Sequence, residues 1–338
     1  MYKIDNKVYE IVEKGLNKIP LEMEEIKTIF NLDPLSKEAY YVRWAGMKKS
    51  MEMADGFAEI HGQIGLDTGP CPQKCHCCSF AGENAHNRPL AKTPVQDVLD
   101  YARIFQDDGA NLLLLMTTVL YPFNELFDLC AKVRETVGPD MPILVNTRDM
   151  SYEEAMAFKQ IGVNGAYHAL RLSEGVLTDI PVETRIRTMK ALSKAKLPLS
   201  VCIEPIGPEH TAEEFVEKIN LHLEENPVTS GVGRRVSVCG TTMECSEMLS
   251  QHQHALYTAL YRLIDNKTKL TASAHSVLLA NSGANLCWAE AGCNPRDMSA
   301  KTEKGGIGKS VAEVAKVFTE SGWQVKKGYS EGWNMTKE

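Results

Sequence analysis

Hydrophobic positions follow two periods along this chain, one typical of helices and one typical of strands. Helical spacing dominates residues 1–55, and from there short apolar runs that predict strands alternate with further helical segments. The predicted strands are Phe57–Ile64, Asn111–Met116, Ile143–Asn146, Gly165–Leu170, Leu197–Ile203, Arg235–Cys239, Leu270–Ala274 and Asn285–Trp288. The predicted helices are Val8–Asn17, Pro20–Asn31, Lys37–Met53, Thr93–Gln106, Phe123–Val137, Tyr152–Gln160, Val182–Lys194, Ala212–Glu224 and Cys245–Leu263.

The alternation of strands and helices predicts the fold class. Repeated strand–helix units imply a parallel sheet joined by right-handed crossovers, and eight of them predict an α/β fold closed into a (βα)8 TIM-type barrel. We expect an N-terminal helical extension (1–55), the barrel (56–293) and a C-terminal tail packed on it (294–338). The tail holds a Gly-rich stretch, KGGIGKS, and a final helix, Val311–Ser321.

Length, composition and charge narrow the class of protein. The chain has 338 residues, which suits a single barrel, and its 43% hydrophobic residues can form a large core. A net charge of −7 makes nucleic acid an unexpected partner. The N-terminus lacks the apolar centre of a signal peptide, and no run approaches the ~20 apolar residues of a membrane helix. We expect a soluble, cytoplasmic protein with no membrane partner.

Three closely spaced cysteines carry the strongest chemical signal. Cys71, Cys75 and Cys78 lie in GPCPQKCHCCSF, directly after the first predicted strand, with the spacing C-x3-C-x2-C. Three thiolates can bind three irons of a cubane cluster and leave the fourth iron open. The spacing alone also leaves Cys71, Cys75 and Cys77 open as the ligand set. A zinc site in a non-catalytic metal-binding protein is a further alternative, although zinc usually takes four ligands in two pairs.

This motif and its position resemble the radical S-adenosylmethionine (SAM) superfamily. The resemblance implies a [4Fe–4S] cluster whose open iron binds SAM. It also implies reductive cleavage of SAM to a 5′-deoxyadenosyl radical, which abstracts hydrogen from a substrate. Anaerobic conditions and an electron donor such as ferredoxin or flavodoxin are implied as well. The family usually has an aromatic residue before the third cysteine, where this chain has Cys77.

The resemblance also implies which residues contact SAM. Glu204, Ile206 and Gly207 match the segment beside adenine, and Arg185 matches an arginine near the methionine carboxylate. Arg187, two residues further along the same predicted helix, should point elsewhere.

Other candidate residues end three of the predicted strands and so should meet at the barrel mouth. Thr117 and Thr118 occupy the place that binds the amino group of SAM, and Asn146 suits the ribose hydroxyls. His168, Arg171, Glu174 and Arg148, with Asp149, are candidates for binding a polar substrate.

The tail segment SGANLCWAEAGCNPRD resembles the biotin synthase branch, and EPIGPEH and NPRD look closest to archaeal-type lipoyl synthases. Two C-x5-C pairs, predicted to reach the same mouth, could hold an auxiliary iron–sulfur cluster or be small core residues. These are Cys239, Cys245, Cys287 and Cys293.

Two radical reactions therefore stay open. The first is sulfur insertion from an auxiliary cluster into an octanoyl-like chain, with an acyl-carrier or lipoyl domain as the docking substrate. The second is a mutase or lyase reaction on a small polar substrate, similar to methylornithine synthase or the hydrogenase maturase. A partner radical SAM subunit is compatible with either reaction.

Overall fold

A computed structural model describes residues 3–82, 91–294 and 308–333. The chain begins with three helices, α1 (Asn6–Leu16), α2 (Met23–Phe30) and α3 (Lys37–Met53). The side chains of Asp5 and Ser36 accept backbone N–H groups of the first turns of α1 and α3. These N-caps explain why the two helices begin where they do.

Eight parallel strands follow and close into a barrel, which confirms the predicted fold class. Each strand pairs with the next in chain order, and the last pairs with the first over Glu59–Gly65 and Leu286–Gly292. The fifth strand is interrupted at Val201 and Cys202, so two short segments form it. The strands are β1 (Phe57–Gly65), β2 (Leu112–Met116), β3 (Ile143–Asn146), β4 (Gly165–Tyr167), β5 (Leu199–Ser200) with β6 (Ile203–Ile206), β7 (Thr229–Arg234), β8 (Leu270–Ala272) and β9 (Leu286–Gly292).

The sixth barrel strand lies earlier in the chain than the pattern predicts. It is β7, Thr229–Arg234, so the prediction at Arg235–Cys239 is wrong. Its sequence, TSGVGR, is rich in the small residues that usually indicate a turn. The close approach of β8 requires them, because a Cβ added at Gly231 would lie 2.8 Å from the Cβ of Ala272. Cys239 therefore lies in the following loop.

Helices surround the barrel on the outside. They are α4 (Val95–Asp107), α5 (Phe123–Val137), α6 (Tyr152–Gln160), α7 (Val182–Lys194), α8 (Ala212–Glu224), α9 (Gln251–Ile264), the short α10 (Val277–Ala280) and α11 (Val311–Glu320). The predicted helix start at Cys245 is wrong, because Ser250 caps α9 and Cys245 lies in the loop before it. Across the described parts of the chain, no helix combines the length and apolar character needed to cross a membrane.

Side chains along each strand alternate between the helix layer and the barrel interior. On β1, Ile60 and Ile64 belong to the large apolar cluster shared with the helices. Since successive side chains of a strand point to opposite faces, Glu59, His61 and Gln63 take the interior side. The interior of this barrel is therefore partly polar, a property that matters for its chemistry.

The C-terminal segment packs against the end of the barrel where the strands begin. β10 (Gln324–Val325) pairs with the first two residues of β1. Trp333 is fully buried in an interior apolar cluster with Leu112, Leu114 and Leu144. That end of the interior is filled with side chains, so the opposite end is the one that can receive ligands. KGGIGKS and NPRD lie largely outside the described residues, and the three-part division of the chain stays a prediction.

Substituting Gly65 with alanine should destabilise the protein. Gly65 ends β1, and an added Cβ would collide with the backbone carbonyl of Cys293. Because backbone cannot move aside as a side chain can, we expect the free energy of unfolding to fall by about 3 kcal/mol. Urea unfolding measures this, with Gly82→Ala as the control, since its Cβ would stay 3.4 Å from its nearest neighbour. Equal stability of the two variants would contradict the prediction.

Candidate active site at the barrel mouth

The cysteine loop follows β1 at the carboxyl end of the barrel, as the sequence predicts. Its own backbone closes it: the N–H of Cys71 donates to the carbonyl of Phe80 at 2.6 Å, and the N–H of Gly82 donates to the carbonyl of Cys71 at 2.7 Å. Within the loop, the N–H of Cys78 donates to the carbonyl of Cys75 at 2.9 Å. These bonds fold three thiols of the motif into one compact segment.

Two other mouth loops hold the cysteine loop in place through His76. Its N–H donates to the carbonyl of Leu177, after β4, at 3.0 Å. Its carbonyl accepts the N–H of Met243, after β7, at 3.3 Å. The position of the cysteines therefore depends on loops far apart in the sequence.

The thiols of the loop are sheltered and influence one another. Burial raises the pKa of Cys75 to about 11 and that of Cys78 to about 12, and neighbouring thiols, Cys71 among them, add to the effect. Burial also raises the pKa of Cys77, but the charges acting most strongly on that thiol belong to Arg171 and Glu204. Arg171 is also the charge that acts most strongly on Cys75, and Cys77 raises the pKa of Cys75 and of Cys78 more than Cys71 does. All four thiols therefore lie close together, and the choice of Cys78 rather than Cys77 as the third ligand stays a prediction.

This donor set fits a [4Fe–4S] cluster. Thiolates are the usual ligands of such clusters, and three of them leave one iron open. Within residues 3–82, 91–294 and 308–333, no three Cys, His, Asp or Glu side chains converge as they would around a single metal ion. The ligands of a cubane bind different irons, so they stand farther apart than the ligands of one ion.

A buried network of charges lies beside the cysteine loop. Arg185, on α7, places Nη1 3.5 Å from Oδ2 of Asp149 and Nε 3.5 Å from Oε2 of Glu174. The side chain of Glu174 is fully buried, and its Oε1 accepts the hydroxyl of Thr178 at 2.6 Å. Arg187, on the same helix, is exposed, so the predicted difference between the two arginines is confirmed.

The network keeps Asp149 ionised. Burial acts to raise the pKa of Asp149, but His168, Arg185 and Thr188 together lower it to about 2. Nε2 of His168 lies 3.2 Å from Oδ1 of Asp149. Nε of Arg185 is buried and makes no hydrogen bond, although the carboxylate of Glu174 lies 3.5 Å away. Arg185 is therefore held between two carboxylates by charge.

A second polar group surrounds Glu204, on β6. The hydroxyl of Tyr167 donates to Oε1 of Glu204 at 2.6 Å, and Nε of Arg171 lies 3.7 Å from the same oxygen. Burial and the charge of Glu204 raise the pKa of Tyr167, so the phenol stays protonated. Burial opposes the charge of Arg171, yet Glu204, Cys75 and Glu174 outweigh it and raise the pKa of its guanidinium.

Ile206 and Gly207 lie where strand five ends, as the sequence predicts, but their groups have protein partners. The side chain of Ile206 is buried in an apolar cluster, and its carbonyl accepts the N–H of Arg235 at 2.9 Å. The N–H of Gly207 donates to Nδ1 of His210 at 3.0 Å. A Cβ at Gly207 would meet the ends of the Glu209 and Arg235 side chains, which would have to shift. This turn is therefore packed against protein side chains.

The two threonines after β2 serve mainly to connect loops. The N–H and hydroxyl of Thr118 both donate to the buried carboxylate of Asp67, at 2.7 and 2.6 Å. The hydroxyl of Thr117 donates to that of Thr147 at 2.8 Å, and its N–H donates to the carbonyl of Asn146 at 2.9 Å. Asp67, a residue that the sequence pattern did not reveal, thus fixes Thr118 at the mouth.

Arg148 contacts the backbone carbonyl of Asp149, but its guanidinium is directed toward the start of α6. Its Nη2 lies 2.6 Å from Oε1 of Glu154, the carboxylate of the capping box of α6, and its guanidinium stacks over Phe123. The structure therefore gives Arg148 a role in starting α6, while His168, Arg171 and Glu174 lie together with Arg185.

The four cysteines expected to hold an auxiliary cluster do not meet. Cys287 is the second residue of β9 and packs among the outward-facing apolar side chains. Cys293, six residues further along, lies about 20 Å away at 3.3 Å per residue, with its thiol 3.8 Å from the hydroxyl of Thr93. Cys239 and Cys245 are exposed in the loop after β7. The prediction that all four reach one mouth is wrong for Cys287.

The interior contributes polar residues that sequence reasoning missed. Nε2 of Gln63 donates to Oε1 of Glu290 at 3.3 Å, and Nδ2 of Asn294 donates to the same oxygen at 2.8 Å. The signal was available for Gln63, because FAEIHGQIG alternates apolar and polar residues. Together with Glu204 and Tyr167 they make the carboxyl end of the barrel interior polar.

His222 should make the protein sensitive to acid. Burial lowers the pKa of His222 to about 3, and its Nε2 must stay unprotonated to accept the N–H of Leu170, which precedes Arg171. Below the ordinary histidine pKa of ~6.5 the unfolded state binds more protons than the folded state. The free energy of unfolding therefore decreases as the pH is lowered, and at pH 5 it should be about 2 kcal/mol smaller than at neutral pH. Urea unfolding of wild type and His222→Gln at pH 7.5 and 5 tests this. Identical pH dependence in both proteins would contradict it.

Biotin synthases are among the known proteins with similar sequences. No protein-family model matches the chain. Biotin synthase of Aquifex aeolicus is 23% identical over 281 residues, which cover 80% of this chain and 83% of that protein. Biotin synthase of Corynebacterium jeikeium is 26% identical over 221 residues, 60% of this chain and 57% of that protein.

Solved structures share the fold at lower identity. Methylornithine synthase (PylB) superposes with a TM-score of 0.78 at 15% identity, covering 94% of this chain and 97% of that one. HydG, a maturase of the [FeFe]-hydrogenase, gives a TM-score of 0.76 at 16% identity, covering 95% and 75%. With the cysteine loop at the mouth of a closed barrel, the chain is similar in sequence to biotin synthases and in fold to these structures, which supports the resemblance to the biotin synthase-like branch of the radical SAM superfamily.

Proposed function

We propose that this protein is a radical SAM enzyme that abstracts a hydrogen atom from a small polar substrate bound in the upper barrel interior. The observation that carries the proposal is the set of polar side chains near the carboxyl ends of the barrel strands, namely Tyr167 with Glu204 and Arg171, and Gln63 with Glu290. Most of them are only partly buried, so they could exchange bonds to one another for bonds to a ligand. A substrate with its own donors and acceptors could make such bonds, whereas an acyl chain could not.

In this proposal Cys71, Cys75 and Cys78 hold the cluster. When bound, a [4Fe–4S] cluster with one open iron supplies the electron that cleaves SAM to methionine and a 5′-deoxyadenosyl radical. The cysteine loop orients the site through its bonds to the loops after β4 and β7, which fix His76 on both sides. Reduction of the cluster also needs an external one-electron donor, such as ferredoxin or flavodoxin.

The buried charge network is the proposed site of the methionine part of SAM. Arg185 would donate to the carboxylate through its guanidinium, whose planar fork matches a carboxylate. Glu174 and Asp149 orient that guanidinium from two sides. Thr117, Thr118 and Asn146 form the neighbouring wall for polar groups, and the turn at Ile206 and Gly207 is the proposed neighbour of adenine.

Sulfur insertion of the lipoyl synthase type is the less favoured reaction. It needs a second cluster as sulfur donor, and Cys287 faces the helices rather than the mouth. The remaining candidate thiols are divided between the buried Cys293 and the exposed loop after β7. The polar side chains of the upper interior and the separation of these cysteines both support a rearrangement or cleavage of a small substrate.

Anaerobic reconstitution tests the proposal. We expect iron and sulfide equivalent to one cluster per chain and formation of 5′-deoxyadenosine when SAM and dithionite are added. Deuterium transfer from small deuterated amino acids or hydroxy acids into 5′-deoxyadenosine would identify the substrate class. Iron equivalent to two clusters, with sulfide consumed during turnover of an octanoyl substrate, would overturn the proposal.

A further inference from the structure

We propose that Cys239 and Cys245 form a reversible disulfide in the loop after β7, beside the cysteine loop. Both thiols are exposed. The pair has no place in the proposed radical chemistry, and the inference is independent of it. Thiol–disulfide exchange occurs readily when two exposed thiols lie close to each other.

Hydrogen bonds on both sides of Cys239 bring it toward Cys245. The hydroxyl of Ser237 donates to the carbonyl of Glu244. The N–H of Gly240 donates to the carboxylate of Glu244 at 2.7 Å. These two residues flank Cys239, and Glu244 directly precedes Cys245. The loop is therefore folded back on itself where its two cysteines lie.

The two thiols differ in a way that assigns their roles. A hydrogen bond to the carboxylate of Glu244, together with its charge, raises the pKa of the Cys239 thiol. Cys239 is therefore the poorer nucleophile, and Cys245 makes the first attack. Its thiolate attacks a low-molecular-weight disulfide such as oxidised glutathione and releases one thiol. Cys239 then loses its proton, attacks the sulfur of Cys245 and releases the second thiol. The two cysteines give up two electrons and two protons, which the small disulfide takes up.

The loop also touches the cysteine loop directly. The N–H of Met243, between the two cysteines, donates to the carbonyl of His76 at 3.3 Å. A disulfide that closes residues 239–245 into a ring would fix Met243 and so hold the cysteine loop more firmly. The thiol redox state of the surroundings would then affect how well the cluster is retained.

Peptide mapping of the reconstituted holoprotein tests the disulfide. After anaerobic treatment with oxidised glutathione and alkylation, trypsin releases residues 236–262, whose only cysteines are Cys239 and Cys245. We expect this peptide to lose the mass of two hydrogens and to escape alkylation. Cys239→Ser should trap one glutathione on Cys245, and Cys130→Ser, which removes a buried thiol of α5, should behave as wild type. Two glutathiones on the wild-type peptide, or complete alkylation, would overturn the disulfide.

The coupling to the cluster has its own measurement. The rate of iron release to a chelator can be measured from the loss of the visible absorbance of the cluster. We expect this rate to be several-fold lower when Cys239 and Cys245 form a disulfide than when both are thiols. Cys245→Ser should show the same rate with and without oxidised glutathione. Equal rates for the two wild-type forms would overturn the coupling. Neither assay depends on which substrate the enzyme uses.

Discussion

Replacing Cys78 with serine should abolish cluster binding and with it the cleavage of SAM. The cysteine loop half-buries this thiol and holds it near Cys71 and Cys75. A serine hydroxyl is a poor iron ligand, and two thiolates hold a cubane weakly. Reconstituted protein should lack the visible absorbance of the cluster, and formation of 5′-deoxyadenosine should fall by more than about 10³-fold.

Cys77→Ser is the matched control, because it changes the adjacent residue in the same loop. In the proposed ligand set Cys77 binds no iron, so the cluster should still assemble, and formation of 5′-deoxyadenosine without substrate should stay close to wild type. The reverse result, with iron lost from Cys77→Ser and kept by Cys78→Ser, would show that Cys71, Cys75 and Cys77 are the ligands. Thermal unfolding before reconstitution distinguishes loss of ligand from loss of fold.

The features that the sequence predicts well are local or periodic. The cysteine spacing is contained in eight residues, Cys71 to Cys78, and the barrel shows itself by strand–helix alternation repeated along the chain. Helical period alone also separates the buried Arg185 from the exposed Arg187. Such signals need no knowledge of which distant segments touch.

The features that the sequence does not predict depend on register and distant contacts. Cys287 and Trp288 are neighbours on β9, yet one faces the helices and the other the interior, so a shift of one residue reverses the assignment. Thr118 is a common residue at a strand end, and its partner Asp67 lies 51 residues away. The sequence pattern does not reveal β7, because its glycines indicate a turn. In the structure they allow a neighbouring strand to pack closely.

Substitutions of Arg185, in the buried charge network, should change both the stability of the protein and its affinity for SAM. Arg185→Met should destabilise the protein, because it leaves Asp149 and Glu174 without their shared cation in a buried site. Breaking a buried ion pair on one side typically costs about 3–5 kcal/mol. The free energy of unfolding in urea, measured on protein without the cluster, should fall by that order.

Arg185→Lys separates the two roles of the side chain. Lysine keeps the positive charge between the carboxylates but lacks the planar fork that binds a carboxylate with two hydrogen bonds. We expect a folded protein that assembles its cluster and binds SAM about 10–100-fold more weakly, as the loss of charged hydrogen bonds predicts. Arg187→Lys, on the exposed side of α7, should bind SAM as wild type does. Wild-type affinity in Arg185→Lys would mean that the arginine only balances buried charge, and the methionine carboxylate would need another partner, of which Arg171 is the nearest candidate in the same network.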